Sequence, residues 1–291
     1  MSLWHRLMLV VLLALPRFSA AAGSEPESID WVLWPIPSAV IVVDGKPADG
    51  TAVRGLQLLM DELPQFKANY RLGNRLRQQR DMQQGRQFCS MPLLPREDSD
   101  QYGLFIPYMV STPIQAAVRH SDLPELPLQD GNLSLTRVLA ETSMQIGASA
   151  HRTYPPQIRK LIDQAHAMQR AQRIAGSPSG ENLLRMVSHG RIDLTFEFSS
   201  VTQAFTRHTM LPEPLYSLPV AEHRELVITG IYCTRSAWGE RVIAELEQGV
   251  RRISANPLAL LDIYRQWVPQ ETFEAFEKQL LDYYAGRGLS P

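Results

Sequence analysis

Apolar residues along this chain switch repeatedly between a period of 3.6 and a period of 2, the marks of an amphipathic helix and a half-buried strand. The switch is sharpest in SGENLLRMVSHGRIDLTFEF, Ser179 to Phe198. Leu183, Leu184 and Val187 form one helical face, and Gly190 suits the left-handed position that closes a helix. Ile192, Leu194 and Phe196 then point to one side of a strand, with Asp193, Thr195 and Glu197 on the other. The earlier stretch DMQQGRQFCSMPLL has a related arrangement, with Gly85-Arg86 before an apolar run, 105 residues ahead of Gly190-Arg191. One helix–strand unit used twice, around something held between the copies, is the organisation this suggests.

The rest of the pattern keeps that alternation. IDWVLWPIPSAVIVVDGKPADG reads as a first strand ending at Trp34-Pro35 and a turn-rich stretch. DGTAVRGLQLLMDELP is a helix with Leu56, Leu59, Met60 and Leu63 on one face; FKANYRLGN is a strand; RLRQQRDMQQG is a polar helix closed by Gly85; RQFCSMPLL is the next strand. YGLFIPYMVSTPIQAAVR gives one further extended segment, and HSDLPELPLQDGN is a Pro- and Asp-rich connection. LSLTRVLAETS is a helix, MQIGAS a short strand, PPQIRKLIDQAHAMQRAQ a helix with proline in its first turn, and QRIAGSPSG a strand and turn. After the Ser179–Phe198 unit, ELVITGIYCTR is a long apolar strand. SAWGERVIAELEQGVRRI follows as a helix, with Trp238, Val242, Leu246, Val250 and Ile253 along one face. NPLALLDIYRQWVP starts from an Asn cap with proline at the first helical position, and QETFEAFEKQLLDYYAG is a final amphipathic helix. Helices alternating with strands imply α/β sheets that are mainly parallel.

Composition changes this picture at the N-terminus. MSLWHRLMLVVLLALPRFSAAAG carries Arg6, an apolar run from Leu7 to Leu15 and an Ala20-x-Ala22 site, the pattern of a secretory signal peptide over residues 1–22. The apolar run is shorter than the roughly 20 residues that span a bilayer; an uncleaved anchor is the alternative. Over the whole chain 44% hydrophobic and 20% charged residues are ordinary for a globular protein, and a formal net charge of −1 gives no electrostatic reason to expect nucleic acid. Catalytic signatures are absent: there is no Gly-x-Ser-x-Gly elbow, His-Glu-x-x-His pair, P-loop or dinucleotide glycine fingerprint. His120, His151, His166, His189, His208 and His223 share no ligand spacing, and two cysteines are too few for a structural zinc site. These absences give no sign of an enzyme and point to no metal or cofactor.

The order of elements resembles the bacterial family 3 solute-binding proteins, periplasmic receptors for amino acids and related small molecules. DGKPADGTAVRGLQLLMDEL is similar to that family's opening strand, turn and first helix. REDSDQYGLFIPYMVSTPIQAAVR is similar to its Arg, Pro-Tyr and crossing strand, ENLLRMVSHGRIDLTFEF to its L-x-x-G-R-x-D unit, and GIYCTRSAWGERVIAELEQGVRRI to its return strand and helix. The chain departs from the family in a shorter Cys89–Arg96 loop and in Ile106, where a Ser commonly precedes Pro-Tyr. Cys89 and CTRSAWG resemble a less characterised branch.

The resemblance implies a two-lobed fold with a double-crossover hinge, lobe I being residues 25–114 plus 230–291 and lobe II residues 115–229. It places the strands holding Cys89 and Cys233 side by side, so that an exported chain would pair the two in a disulfide. It implies a ligand cleft at strand ends and helix starts, where Trp34, Arg96, Ser149, Arg152, Tyr154 and Glu197 would meet. Arg96 would clamp a carboxylate, Glu197 would meet an ammonium, Trp34 would stack, and Ser149, Arg152 and Tyr154 would supply polar contacts. Each has an ordinary alternative: a solvated loop arginine for Arg96, a surface turn for Ser149, Arg152 and Tyr154, an exposed strand-end carboxylate for Glu197, and core for Trp34. The implied partners are a small polar metabolite, an amino acid or related carboxylate, and an inner-membrane ABC transporter or sensor, with no nucleic acid and the binding protein a monomer. The alternatives are an interaction protein of the same fold docking on a membrane partner, and a dehydratase-like enzyme on this scaffold.

Overall fold

The computed structural model describes residues 25–150, 152–175 and 180–289. The signal peptide and its cleavage site, over residues 1–22, lie outside these residues. Among the described residues no helix is long and apolar enough to cross a membrane.

The chain opens with β1 (Glu27–Leu33), the hairpin β2 (Ile41–Val43) and β3 (Lys46–Asp49), α1 (Thr51–Asp61), β4 (Phe66–Leu72) and α2 (Arg75–Gln83). It continues through β5 (Cys89–Leu93), the short α3 (Glu97–Asp100) and β6 (Gly103–Pro107). It then crosses to a second unit: β7 (Gln115–Arg119), the small hairpin β8 (Leu128–Gln129) and β9 (Asn132–Leu133), α4 (Leu135–Glu141) and β10 (Ile146–Ser149). That unit is completed by α5 (Pro156–Ala167), β11 (Ala171–Ile174), α6 (Glu181–Ser188), β12 (Leu194–Glu197), α7 (Ser199–His208) and β13 (Leu215–Leu218). The return crossing leads to β14 (Gly230–Thr234), α8 (Ala237–Ala255), α9 (Leu258–Trp267) and α10 (Gln270–Leu289).

Two five-stranded sheets result, ordered β4-β1-β5-β14-β6 and β11-β10-β12-β7-β13. In each, the first three strands are parallel and the fourth, a strand entered from a crossing, is antiparallel to both neighbours. Each lobe thus repeats one layered α/β plan. Lobe I packs Trp31, Leu33, Leu56, Leu59, Leu246 and Val250 into one core, and lobe II packs Val118, Ile146, Ile158, Ile162, Leu194 and Phe196 into another. Each such side chain, removed fully from water, contributes about 1.5–3 kcal/mol before entropy is subtracted.

The two Gly-Arg pairs close their helices identically. Gly85 and Gly190 have φ of 70° and 67°, a region where a Cβ is disfavoured. Gly85 N–H donates to the Met82 carbonyl and Arg86 N–H to that of Asp81, while Gly190 donates to Val187 and Arg191 to Met186. The chain reverses at the same point in both lobes and enters the third strand of each sheet.

The structure differs from the sequence reading at several places. The single extended segment over residues 102–119 is two strands: Pro107 ends β6, and residues 108–114 form the crossing, with Met109 at φ 60°. The long strand read in ELVITGIYCTR contributes only Gly230–Thr234 to the sheet, while Val227 pairs with Ser111 of the first crossing. The helix α7 and strand β13 were not read from the sequence. Pro257 is itself the cap of α9, and Asn256 ends α8 without a capping side-chain bond to α9. The polar side of β12 is covered as well as the apolar side, as expected of a strand with helices on both faces.

Candidate functional site

The strand ends of the two sheets face each other across a cleft. Trp34 follows the last residue of β1, Ser149 is the last residue of β10, and Glu197 is the last residue of β12. Arg96 caps α3 just beyond β5. Its position is fixed from lobe I: its backbone N–H donates to the Tyr232 hydroxyl at 2.9 Å, and that hydroxyl donates to Asp100 Oδ1 at 2.5 Å. Burial and the bond to Asp100 hold the Tyr232 hydroxyl well above its ordinary pKa, so it stays a donor. The guanidinium of Arg96 reaches across the cleft to Thr153 Oγ1 at 3.3 Å.

Lobe II holds the other four predicted residues in a cluster of its own. Arg152 donates through Nη2 to Glu197 Oε2 at 2.7 Å and through Nη1 to the Phe196 carbonyl at 2.9 Å. Glu197 Oε1 accepts the N–H of Phe198 at 2.9 Å, and the carboxylate side chain is only 1% exposed. Burial pushes the Glu197 carboxyl above the usual carboxylate range, and Arg152 pulls it back. Tyr154 is buried edge-on against Phe196, ring centroids 5.8 Å apart, and its hydroxyl accepts the N–H of Ser149 at 2.7 Å. The polar side chains in and just before β12 are also engaged within the lobe. Thr195 Oγ1 donates to the Gly147 carbonyl at 2.8 Å, and Asp193 accepts from Arg119 Nη2 and from Gln145 N–H, both at 2.7 Å.

A cavity of about 270 Å³ lies between the lobes. From lobe I it is lined by Trp34, Arg75, Met82, Leu93 and Arg96, from the first crossing by Met109 and Val110, and from lobe II by Phe198, Ser200 and Val201. Of the six predicted residues, Trp34 and Arg96 line this cavity, whereas Ser149, Arg152, Tyr154 and Glu197 do not. The structure therefore separates the six into a cavity-lining pair and a lobe II cluster bonded to itself. Sequence reading missed the α7 wall, although Val201 and Phe205 lie four apart in SSVTQAFTRH and follow Glu197 directly. It also missed Arg75, which sits in the first turn of α2 and pairs with Asp98 at 3.1 Å.

Cys89 and Cys233 form a disulfide, with Cα atoms 4.0 Å apart on the antiparallel pair β5 and β14. Among the described residues no group of three or more His, Cys, Asp or Glu is gathered to hold a metal ion.

No protein-family model and no curated protein sequence matches the chain. Solved structures do match its fold. Bacillus subtilis YtmK is 11% identical with a TM-score of 0.62, covering 84% of this chain and 99% of its own. The amino acid ABC transporter substrate-binding protein AbpA of Streptococcus pneumoniae, solved with L-arginine, is 13% identical with a TM-score of 0.54, covering 91% and 97%. A histidine kinase sensor domain with similarity to periplasmic binding proteins is 12% identical with a TM-score of 0.59, covering 84% and 96%. At these identities the likeness is one of fold: this chain has the two-lobed α/β architecture of the periplasmic-binding-protein class.

Proposed function

We propose that this protein is a periplasmic solute-binding protein, exported and cleaved near Ala22, that captures a small metabolite between lobe I (residues 25–114 plus 230–291) and lobe II (residues 115–229). It works as a monomer and hands the ligand, or the news of it, to an inner-membrane ABC transporter or sensor. The observation that carries the reading is the cavity walled by both lobes at strand ends, with two crossings beside it. Open α/β sheets place ligands at the carboxyl ends of their strands, and closure about a hinge would bring the Phe198–Val201 wall onto the Trp34 wall. The sensor variant of this reading is supported by the fold match to a histidine kinase sensor domain. Capture is the same in both; only the docking partner differs.

The cavity is small against the roughly 300–1,000 Å³ of drug-sized sites, which suits a small metabolite. A thermal-shift screen of the mature protein against a metabolite panel tests the reading. A true ligand at a hundred times its Kd adds about 2.7 kcal/mol and raises Tm. A panel without any stabilising compound, together with a co-purifying membrane protein, would replace capture by a docking role.

A further inference from the structure

We propose that the ligand is an apolar anion without an ammonium group, such as a small aryl- or alkyl-carboxylate, and not an α-amino acid. This rests on the capture reading above.

The charges of the cavity wall are one-sided. Arg75 and Arg96 line it, and no Asp or Glu does. Arg96 makes no ion pair among the described residues; its guanidinium contact is the neutral Thr153 hydroxyl. A planar guanidinium in that position presents a fork to a carboxylate. An ammonium entering the same space would lose water beside the Arg96 cation and find no free carboxylate on the wall, since Asp98 is already paired with Arg75, a costly transfer.

The acids near the cleft are otherwise occupied or outside the cavity. Glu197, at the end of its strand, is bonded to Arg152 and to the Phe198 N–H. Turning it to an ammonium would leave the half-buried Arg152 without its partner. Asp98 is held by Arg75 at the surface. Glu181 lines a neighbouring rim groove with Pro37, Ser38 and Ser200 and does not line the cavity. Residues 151 and 176–179, which the structure does not describe, are His, Gly, Ser, Pro and Ser, so they bring no carboxylate either.

The rest of the wall is built to take an apolar body. Trp34, Met82, Leu93, Met109, Phe198 and Val201 line the cavity. Trp34 Nε1 is a buried donor with no acceptor among the described residues. Anion at the arginines and hydrocarbon against the aromatics is the arrangement these walls accept.

Matched probes decide the matter. Isothermal titration of the mature protein is run with 3-phenylpropionate, L-phenylalanine and phenethylamine, and in parallel with 4-methylpentanoate, L-leucine and isopentylamine. The expected result is that at least one deaminated acid binds ten or more times tighter than its amino acid and that the amines do not bind. Arg96→Ala should weaken the acid about ten- to hundredfold, the loss of one charged hydrogen bond, with an unchanged melting profile. Glu181→Gln should leave the acid's affinity unaltered. An amino acid that binds as tightly as its deaminated partner, with affinity lost in Glu181→Gln, overturns the anion assignment and leaves capture standing. Silence from both acids while any amino acid binds overturns it too. Silence from all six probes and from the metabolite panel overturns the assignment and the capture reading together.

Discussion

Lobes I and II are the same unit built with different fasteners. In register, Val32 pairs with Ser90 in lobe I as Gly147 pairs with Thr195 in lobe II. Both hydroxyls donate to the carbonyl of the residue they face, Ser90 to Val32 and Thr195 to Gly147. Ser90 and Thr195 stand five residues after Gly85 and Gly190. Around this shared frame the chemistry diverges. Lobe I has Cys89 opposite Cys233 where lobe II has Leu194 opposite Val118. Following the same register, Glu197 corresponds to Pro92, which lines the cavity, and Ser149 to Trp34, which lines it as well. Lobe I is thus stitched covalently behind its strand ends and leaves them open as a wall. Lobe II is held by an ion pair at the strand ends, so its charges face inward and its wall comes from α7. The fold fixes where a cleft lies, and the choice of fastener decides which side chains are left to meet a ligand.

The largest effect expected is on the lobe II fastener. Arg152→Ala leaves the 1%-exposed Glu197 carboxylate without its cation, which costs about 3–5 kcal/mol in denaturant unfolding. Arg152→Met with Glu197→Leu, which removes both charges and keeps volume, should recover most of that loss. A double variant no better than the single would mean the pair does more than neutralise itself. The lobe I fastener comes next. Cys89→Ser with Cys233→Ser should cost about 2–4 kcal/mol, measured the same way. If removing the disulfide costs nothing, hydrogen bonding between β5 and β14 already holds the strand.

The shared frame sharpens the comparison. Gly85→Ala and Gly190→Ala should each cost about 1–2 kcal/mol, because both sit at positive φ, and the two losses should match. A clear inequality would show that the two caps carry different tertiary strain. The smallest effect belongs to the return segment of lobe II. Burial lowers the His223 pKa below 6.5, with Glu225 opposing it, and neither ring nitrogen has a hydrogen-bond partner among the described residues. The folded state therefore holds this ring neutral. Its stability contribution is present above pH 6.5 and is lost as the pH falls through the folded value, because the unfolded chain takes the proton first. His223→Gln should flatten that acid-side slope by at most about 1.4 kcal/mol per pH unit. A slope equal in both proteins would assign it to other groups.

Much of the frame was legible in the sequence because local rules fix it. Gly85 and Gly190 mark the two helix ends, Leu183, Leu184 and Val187 mark the face of α6, and Leu194 and Phe196 mark the core side of β12, whereas Ile192 precedes the strand and packs with Leu183 and Val187. What was not legible depended on distant residues. Glu197 looks the same in sequence whether a ligand or a guanidinium meets it, and Arg152 lies 45 positions away. Thr195 and Asp193 alternate as solvent-facing residues would, yet their partners Gly147 and Arg119 come from neighbouring strands. The helix α7 follows β12 after one residue and begins without a capping side chain, so no local signal announces it.

The central claim is that a ligand sits between the two lobes, against a wall from each. The most direct measurement is calorimetric titration of the best ligand into wild type, Trp34→Ala and Phe198→Ala, one variant per wall. An aromatic covered by the ligand contributes about 1.5–3 kcal/mol, so both variants should lose about ten- to hundredfold in affinity when titrated well below the melting temperature, each also losing some stability because Trp34 and Phe198 pack against the lobe cores. Full affinity in Phe198→Ala would place the ligand on lobe I alone, or elsewhere, and would contradict the account.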